Sequence, residues 1–297
     1  MRLLLLTARP DLETNRRLEA AARARGVEMV TVDGARITAA VAIEPTLRLG
    51  AVDLLDPPID GVLARVGNWR PESMLAALEV AIAAGAATPN PPRAIRVGRD
   101  HWRTVHALAA AGLPVPATCA GGDPEELAAA AVAFGFPVVV KQRRSRMGVG
   151  VIRCATRDHL ESVLDSLWRV GDETIVQEFV PTGGRSLRVL VVGDRVVAAG
   201  RFVAADGDWR SNAARGGSAE PYRPSDSEQE LARSAARAVG LGVCGVDLLA
   251  GPQTVVVEVN PTPGFRRLEE ATGVDVAAAI VRHAEQCARA GRPGARG

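Results

Sequence analysis

Two hydrophobic periods alternate along the first third of the chain, and this alternation restricts the folds open to it. Leu3–Leu6 is a short, continuous apolar run, the pattern of a strand buried on both faces. Asn15–Arg25 has helical spacing and stops at Gly26, while Val27–Val32 and Gly61–Val66 read as further strands. Pro71–Ala84 sets Met74, Leu75, Leu78 and Ile82 along one helical face. Strands alternating with helices predict a parallel sheet covered on both sides, a Rossmann-like α/β domain. A dinucleotide fingerprint is missing, because Thr7-Ala8-Arg9-Pro10 stands where a G-x-G-x-x-G turn would follow the first strand. A nicotinamide-dependent oxidoreductase therefore loses its main support.

Pro89-Asn90-Pro91-Pro92 punctuates the chain and predicts a first domain over 1–92. The next unit, 93–180, has helical patterns at Asp100–Ala111, Pro124–Phe134 and Arg157–Trp168. Its strands are expected at Val138–Lys141, Val151–Arg153 and Thr174–Phe179, with a polar loop ending Gly148-Val149-Gly150. The last unit, 181–297, opens with Pro181-Thr182-Gly183-Gly184. Leu187–Val192 and Arg195–Arg201 flank the tight turn Gly193-Asp194, and Gly245–Ala250 pairs with Thr254–Asn260 in a second expected hairpin. Helices at Ser227–Val239 and Val274–Arg289 complete two α+β units behind the α/β domain.

Charge and cysteine usage narrow the class. A net charge of +2 argues against a nucleic-acid partner or a polybasic membrane surface. Cys119, Cys154, Cys244 and Cys287 are scattered, without the spacing of a zinc site or a disulfide framework. Leu3–Leu6 is too short for a signal-peptide core, and no stretch approaches the ~20 apolar residues of a membrane span. A cytoplasmic protein is expected.

Lys141 is the single lysine among 36 basic residues, and it closes the apolar run Pro137–Val140. Arginine supplies surface charge anywhere, but a compact ammonium on a thin stem enters a tight cleft and meets a phosphate oxygen as a point charge. Chance would also leave one lysine somewhere in so biased a composition. Downstream, Ser145–Gly150 supplies small residues whose backbone N–H groups can approach phosphate. This is not a Walker loop, since the lysine precedes the glycines; a plain hairpin turn remains open.

The strongest local pattern is Gly245-Val246-Asp247 followed by Glu258-Val259-Asn260. Glu258 and Asn260 are two apart on a strand and share a face. A two-residue turn at Pro252-Gln253 would set Asp247 directly opposite Glu258 on that face. Two carboxylates and an amide oxygen on rigid strands suit a magnesium ion shared with a nucleotide. The alternative is an acidic pair answered by arginines. The backbone of Ile175-Val176-Gln177-Glu178-Phe179 could read an adenine edge, or be an ordinary strand at the edge of a core. Arg210 and Arg215, in the loop-rich Trp209–Ser218, and more weakly Arg188, are the arginines singled out for an anionic ligand. With no Ser/His/Asp or Cys/His constellation, the chemistry expected is the positioning of phosphate.

In combination and order, these motifs resemble the ATP-grasp carboxylate–amine ligases, and within them the RimK-like branch that includes ribosomal-protein glutamate ligases and LysX-type ligases. They are Lys141 with its glycine loop, Val176-Gln177-Glu178-Phe179, Arg188–Gly193, Trp209-Arg210-Ser211-Asn212, Arg215-Gly216-Gly217-Ser218, Gly245-Val246-Asp247 and Glu258-Val259-Asn260. The resemblance spans roughly residues 90–285.

The resemblance implies an ATP-grasp fold, an N-terminal α/β domain followed by two α+β subdomains that clasp ATP. It implies ATP and Mg2+, or Mn2+ in its place, an acyl phosphate made from a donor carboxylate, and an amide formed when an amine attacks it. Lys141, Gly148 and Gly150 would touch the phosphates, Gln177, Glu178, Phe179 and Val180 the adenine, and Asp247, Glu258 and Asn260 the metal. Arg210 would neutralise the transferring phosphoryl group and acyl phosphate, and Arg215 the same region or the substrate carboxylate. The partners implied are an amino acid, peptide, protein tail or small amine, and the assembly a homodimer or homotetramer.

Three departures from the family pattern stand out. His101 occupies the place of a second ATP lysine, and Ser186 that of an aspartate able to meet the ribose. Phe265-Arg266-Arg267 replaces Leu-Glu-Gly, which sets two added cations toward the expected acceptor region. The first two motivate an alternative, a catalytically impaired ATP-binding regulatory or partner module of the same fold.

Overall fold

The computed structural model describes residues 1–42, 44–144, 150–171, 173–211 and 217–291. In the N-terminal region the chain runs β1 (Arg2–Thr7), α1 (Glu13–Ala24), β2 (Glu28–Asp33), β3 (Ile37–Ala40), β4 (Thr46–Leu49), β5 (Val52–Asp53), β6 (Gly61–Arg65) and α2 (Pro71–Ala83). β2, β1 and β6 form a parallel sheet with β1 in the centre. The apolar run of β1 serves both faces: Leu3 and Leu5 pack with Leu18 and Ala22 of α1, and Leu4 and Leu6 with Met74, Leu75 and Leu78 of α2. Sequence reading finds this layering but misses the small antiparallel sheet β3-β4-β5, whose strands are too short to carry a visible period.

Next come α3 (Pro92–Gly98), α4 (His101–Ala110), β7 (Thr118–Ala120), α5 (Pro124–Ala131), β8 (Val138–Gln142), β9 (Val151–Cys154), α6 (Arg157–Arg169) and β10 (Thr174–Glu178). The strands assemble as β7-β10-β8-β9, all antiparallel. Val138, Val140 and Val176 turn toward α5 and α6 and form one core with Leu127, Leu160 and Leu164. By the pleat, Val139, Lys141, Ile175 and Gln177 point to the other face.

The remaining elements are β11 (Arg185–Val192), β12 (Arg195–Val203), β13 (Ser218–Pro221), α7 (Asp226–Val239), β14 (Val243–Ala250), β15 (Thr254–Asn260), α8 (Arg266–Thr272) and α9 (Val276–Ala290). They give a five-stranded antiparallel sheet, β13-β12-β11-β14-β15. One face, with Leu187, Val189, Val246, Leu248 and Val256, packs on α7. The other, with Leu190, Val192 and Phe202, packs on α8 and α9. α9 also contacts α1 and β6, so the closing helix joins this sheet to the N-terminal one. α7 starts with a full capping box, Ser225 with Glu228, and ends at Gly240 in the left-handed region.

The segment Pro89–Pro92 is tied down by a buried asparagine. Asn90 Nδ2 donates to the Val243 carbonyl at 2.8 Å and the Pro261 carbonyl at 3.2 Å, and Asn90 Oδ1 accepts from the Val243 N–H at 2.9 Å. It thereby fixes the start of β14 and the exit of β15, the two strands that carry the acidic residues.

The β14–β15 turn corrects one expectation. Ala250 pairs with Thr254, so Gly251–Gln253 form a three-residue loop, not a two-residue turn at Pro252-Gln253. Gly251 leaves the ladder where it passes Val180, whose Cγ1 lies 2.8 Å from where a Cβ would sit. A one-residue slip between Asp247 and Leu248 leaves Val257 unpaired and restores Asp247 opposite Glu258.

Candidate active site

Three adjacent strands line up a charged row. Arg188 of β11 is the register partner of Asp247 of β14, which is the register partner of Glu258 of β15. Arg188 grips Asp247 with both arms of its fork, at 2.7 Å (Nε to Oδ1) and 2.6 Å (Nη2 to Oδ2). Burial works against the Arg188 charge, but Asp247 outweighs it and holds the guanidinium above its ordinary range. Gly245 makes space for this: a Cβ there would stand 3.1 Å from Pro263 Cβ and 3.8 Å from Arg188 Cδ.

Glu258 has no hydrogen-bond or ion-pair partner among the described residues. Asn260 lies two residues on, opposite Gly245, and its Oδ1 accepts from the Thr262 N–H at 2.9 Å. Among the described residues no group of three or more His, Cys, Asp and Glu is arranged to hold a metal. A closed zinc-type cage is therefore not built here. Two carboxylates and one amide oxygen, with one carboxylate uncommitted, do fit a hard cation that completes its shell with phosphate oxygens and water.

Lys141 faces this row from the other sheet. It is 9% exposed, and its Nζ donates to Gln177 Oε1 at 2.6 Å. Gln177 in turn donates to Thr118 Oγ1 at 2.9 Å, so its amide is fixed with the oxygen toward the lysine. Burial pushes the Lys141 ammonium down to about 8, and the fields of Glu258 and Asp247 oppose that shift. The fold thus brings a lysine from β8 and carboxylates from β14 and β15 within electrostatic reach.

The other expected positions are distributed around this centre. His101 begins α4, and its N–H donates to the Arg143 carbonyl at 2.8 Å, just beyond the end of β8. Asp100 caps α4 and holds Arg143 at 2.7 Å. Gly150 has φ +69, and a Cβ there would collide with the Gln142 side chain. Glu178 is exposed; its N–H donates to the Ala117 carbonyl at 2.8 Å, while its carboxylate accepts from the Ala117 N–H. Phe179 meets Trp209 edge-on at 5.6 Å, with Arg153 over both rings. The Val180 N–H makes no backbone hydrogen bond among the described residues.

Ser186 shares a 2.6 Å hydrogen bond with Ser211 and borders a cavity of about 280 Å3 with Arg185, Arg201 and Tyr222. Arg210 is bound by Asp208 at 3.0 Å and donates to the Val151 carbonyl at 3.2 Å, which links β9 to the segment after β12. Gly148 and Arg215 lie outside the described residues. Of the two cations expected near the acceptor, Arg266 turns aside: it pairs with Glu13 at 2.8 Å and Glu270 at 3.3 Å. Arg267 donates to the Gly217 carbonyl at 2.5 Å. Sequence reading missed Thr118, Asp208 and Arg153, because single polar residues in loops and strands carry no pattern. Nothing in the sequence distinguishes them.

Comparison with known proteins gives this arrangement its place. A family model described as the RimK-like ATP-grasp domain matches residues 98–284. A "Probable alpha-L-glutamate ligase" from Thioalkalivibrio sulfidiphilus (strain HL-EbGR7) is 38% identical, with 100% of this chain and 99% of that protein covered. A protein of the same description from Xanthomonas euvesicatoria pv. vesicatoria (strain 85-10) is also 38% identical, covering 97% and 99%. The RimK domain ATP-grasp protein from Sphaerobacter thermophilus DSM 20745 superposes with TM-score 0.74 at 25% identity, over 96% of this chain and 99% of that one. The ATP-grasp ligase PsnB, in complex with minimal precursor, Mg and ADP, superposes with TM-score 0.73 at 23% identity, over 97% and 98%. The chain belongs to the RimK-like ATP-grasp family and is an ATP-dependent ligase.

Proposed function

We propose that the protein is a Mg2+-dependent carboxylate–amine ligase that adds an amino acid, glutamate first among the candidates, to a peptide, protein tail or small amine. The observation that carries this reading is the approach of Lys141 to the Asp247–Glu258 pair across two sheets. It is supported by the two glutamate-ligase relatives at 38% identity.

Lys141, steered by Gln177, holds a phosphate oxygen of ATP as a point charge. The strand end from Gln177 to Val180 holds the adenine, and the Val180 N–H, which makes no backbone hydrogen bond among the described residues, is its available donor. Asp247, Glu258 and Asn260 hold Mg2+, which when bound supplies Lewis-acid polarisation of the phosphate oxygens. A donor carboxylate oxygen attacks the γ-phosphorus, the bond to the β-bridging oxygen breaks, and ADP departs. The acyl phosphate is then attacked at its carbonyl carbon by an uncharged amine. Phosphate leaves with the C–O bonding electrons, and the amine nitrogen loses a proton. Arg210 and Arg215 offset the negative charge on the group in flight. We assign 1–92 to an N-terminal domain, 93–180 to the nucleotide-side subdomain and 181–297 to the metal-side subdomain.

The test is mass spectrometry of products after incubation with ATP, Mg2+ and pooled amino acids or cell extract. The expected result is ADP together with a product heavier than its acceptor by the mass of the donor acid less one water. ATP binding without ADP release across a broad panel of carboxylate–amine pairs would overturn the reading.

A further inference from the structure

Arg65 lacks what its neighbours have. Arg188 is paired with Asp247, Arg266 with Glu13, Arg17 with Glu269 and Arg25 with Glu285. Arg65 has no carboxylate within ion-pairing distance among the described residues. Among the described residues its one hydrogen bond runs from Nη2 to the Pro263 carbonyl at 3.1 Å, and its Cζ lies 5.6 Å from the centre of the Phe265 ring. A guanidinium has five N–H donors, so most of this fork is unspent. Burial without a counter-charge pushes it down to about 10.

Its position is equally informative. In the parallel sheet β2-β1-β6 the chain leaves central β1 for β2 on one side and β6 on the other. The crevice between the carboxyl ends of β1 and β6 is the switch point at which open parallel sheets take their ligands. Thr7 and Arg65 are register partners at those two ends. The backbone beyond Arg65 is fixed: Arg99 donates to the Val66 carbonyl at 3.1 Å and Thr262 Oγ1 to the same oxygen at 3.2 Å. Pro263, which Arg65 holds, abuts Gly245, where an added Cβ would stand 3.9 Å from Arg188 Nε. Arg65 is therefore joined through one loop to the Arg188–Asp247–Glu258 row.

We propose that Arg65 anchors a non-reacting carboxylate of the amino-acid substrate, gripping it with the free edge of the guanidinium while the reacting group reaches the Asp247–Glu258 row. This rests on the ligase reading above. It makes Arg65 a specificity-determining residue of the N-terminal sheet, outside the bond-making steps. A planar fork matches a carboxylate bidentately, which a lysine does not.

The experiment is titration calorimetry of the full chain with AMP-PNP and Mg2+, using L-glutamate, L-glutamine and L-isoglutamine as probes. The wild-type protein is expected to bind glutamate about 10- to 100-fold more tightly than at least one of the amides, the range for a charge-assisted hydrogen bond. The weaker amide identifies the anchored carboxylate. Arg65→Gln should erase that gap and leave AMP-PNP affinity unchanged; Arg65→Lys, which keeps the charge and loses the fork, should narrow it. A purely structural Arg65 would weaken the nucleotide and all three amino acids together, and this outcome overturns the proposal. So does a wild-type protein that fails to bind glutamate or treats the three alike, or an Arg65→Lys or Arg65→Gln protein that keeps the full gap. Discrimination without ADP release from any substrate pair would sink the ligase reading and leave the anchor standing. ADP release without discrimination would do the reverse.

Discussion

Lys141 Nζ donates to Gln177 Oε1 at 2.6 Å, and this bond, between residues diagonally placed on β8 and β10, aims the chain's single lysine across the cleft. Arginine in its place keeps the charge but needs more width than a 9% exposed site offers and presents a fork that Gln177 cannot satisfy. Lys141→Arg should lower kcat/KM for ATP by about 100-fold, the scale of a misplaced contact. ADP-release kinetics check this; full activity would remove Lys141 from the phosphate site.

The same lysine gives a pH signature. Burial moves its ammonium from 10.5 to about 8, so the stability cost of burying the charge is complete below pH 8 and fades as pH rises from 8 to 10.5. A polyanion favours the charged form, so ATP affinity should be greatest below pH 8 and fall as pH rises through it. Reductive 13C-methylation yields one lysine resonance, since there is only one lysine. It should titrate near 8 in the free protein and higher with ATP·Mg2+. A midpoint above 10 without nucleotide would contradict the burial argument.

The two carboxylates should separate by stability. Asp247→Asn strips the counter-charge from Arg188, whose side chain is 21% exposed, and unpairing such a cation costs about 3–5 kcal/mol. Glu258→Gln breaks no ion pair or hydrogen bond among the described residues and removes the field it exerts on Lys141. Both should abolish Mg2+-dependent ADP release, while only Asp247→Asn lowers Tm markedly in a thermal melt. Equal melting of the two variants would show that Arg188 does not depend on Asp247.

Gly98, the last residue of α3, offers a change of sign. Alanine normally stabilises a helix over glycine by about 1 kcal/mol. Here its Cβ would stand 2.9 Å from the Val259 carbonyl of β15 and 3.1 Å from Pro261 Cδ. Overpacking of this kind costs about 1–3 kcal/mol, so Gly98→Ala should melt several degrees lower and weaken metal-dependent turnover. A raised Tm would show that helix and strand can separate freely.

What was legible in the sequence depended on range. The β1 run and the α2 face announce themselves through period, and the resemblance rests on motifs whose order survives without knowledge of contacts. Arg188 was only weakly visible, because its meaning comes from Asp247, 59 residues away and on the next strand. Arg65 was invisible, since a lone arginine at a strand end carries no pattern. Its missing counter-charge exists only once Pro263 and Phe265 are folded against it.

The loop Gly251–Gln253 and the unpaired Val257 behave as a frameshift and its suppressor. Each alone would rotate Glu258 to the opposite face of the sheet, away from Asp247; together they cancel. Relatives can therefore lose one residue from the turn and one from the strand in concert and keep the acidic pair. A chain that loses only one of them keeps every motif in its sequence and loses the site.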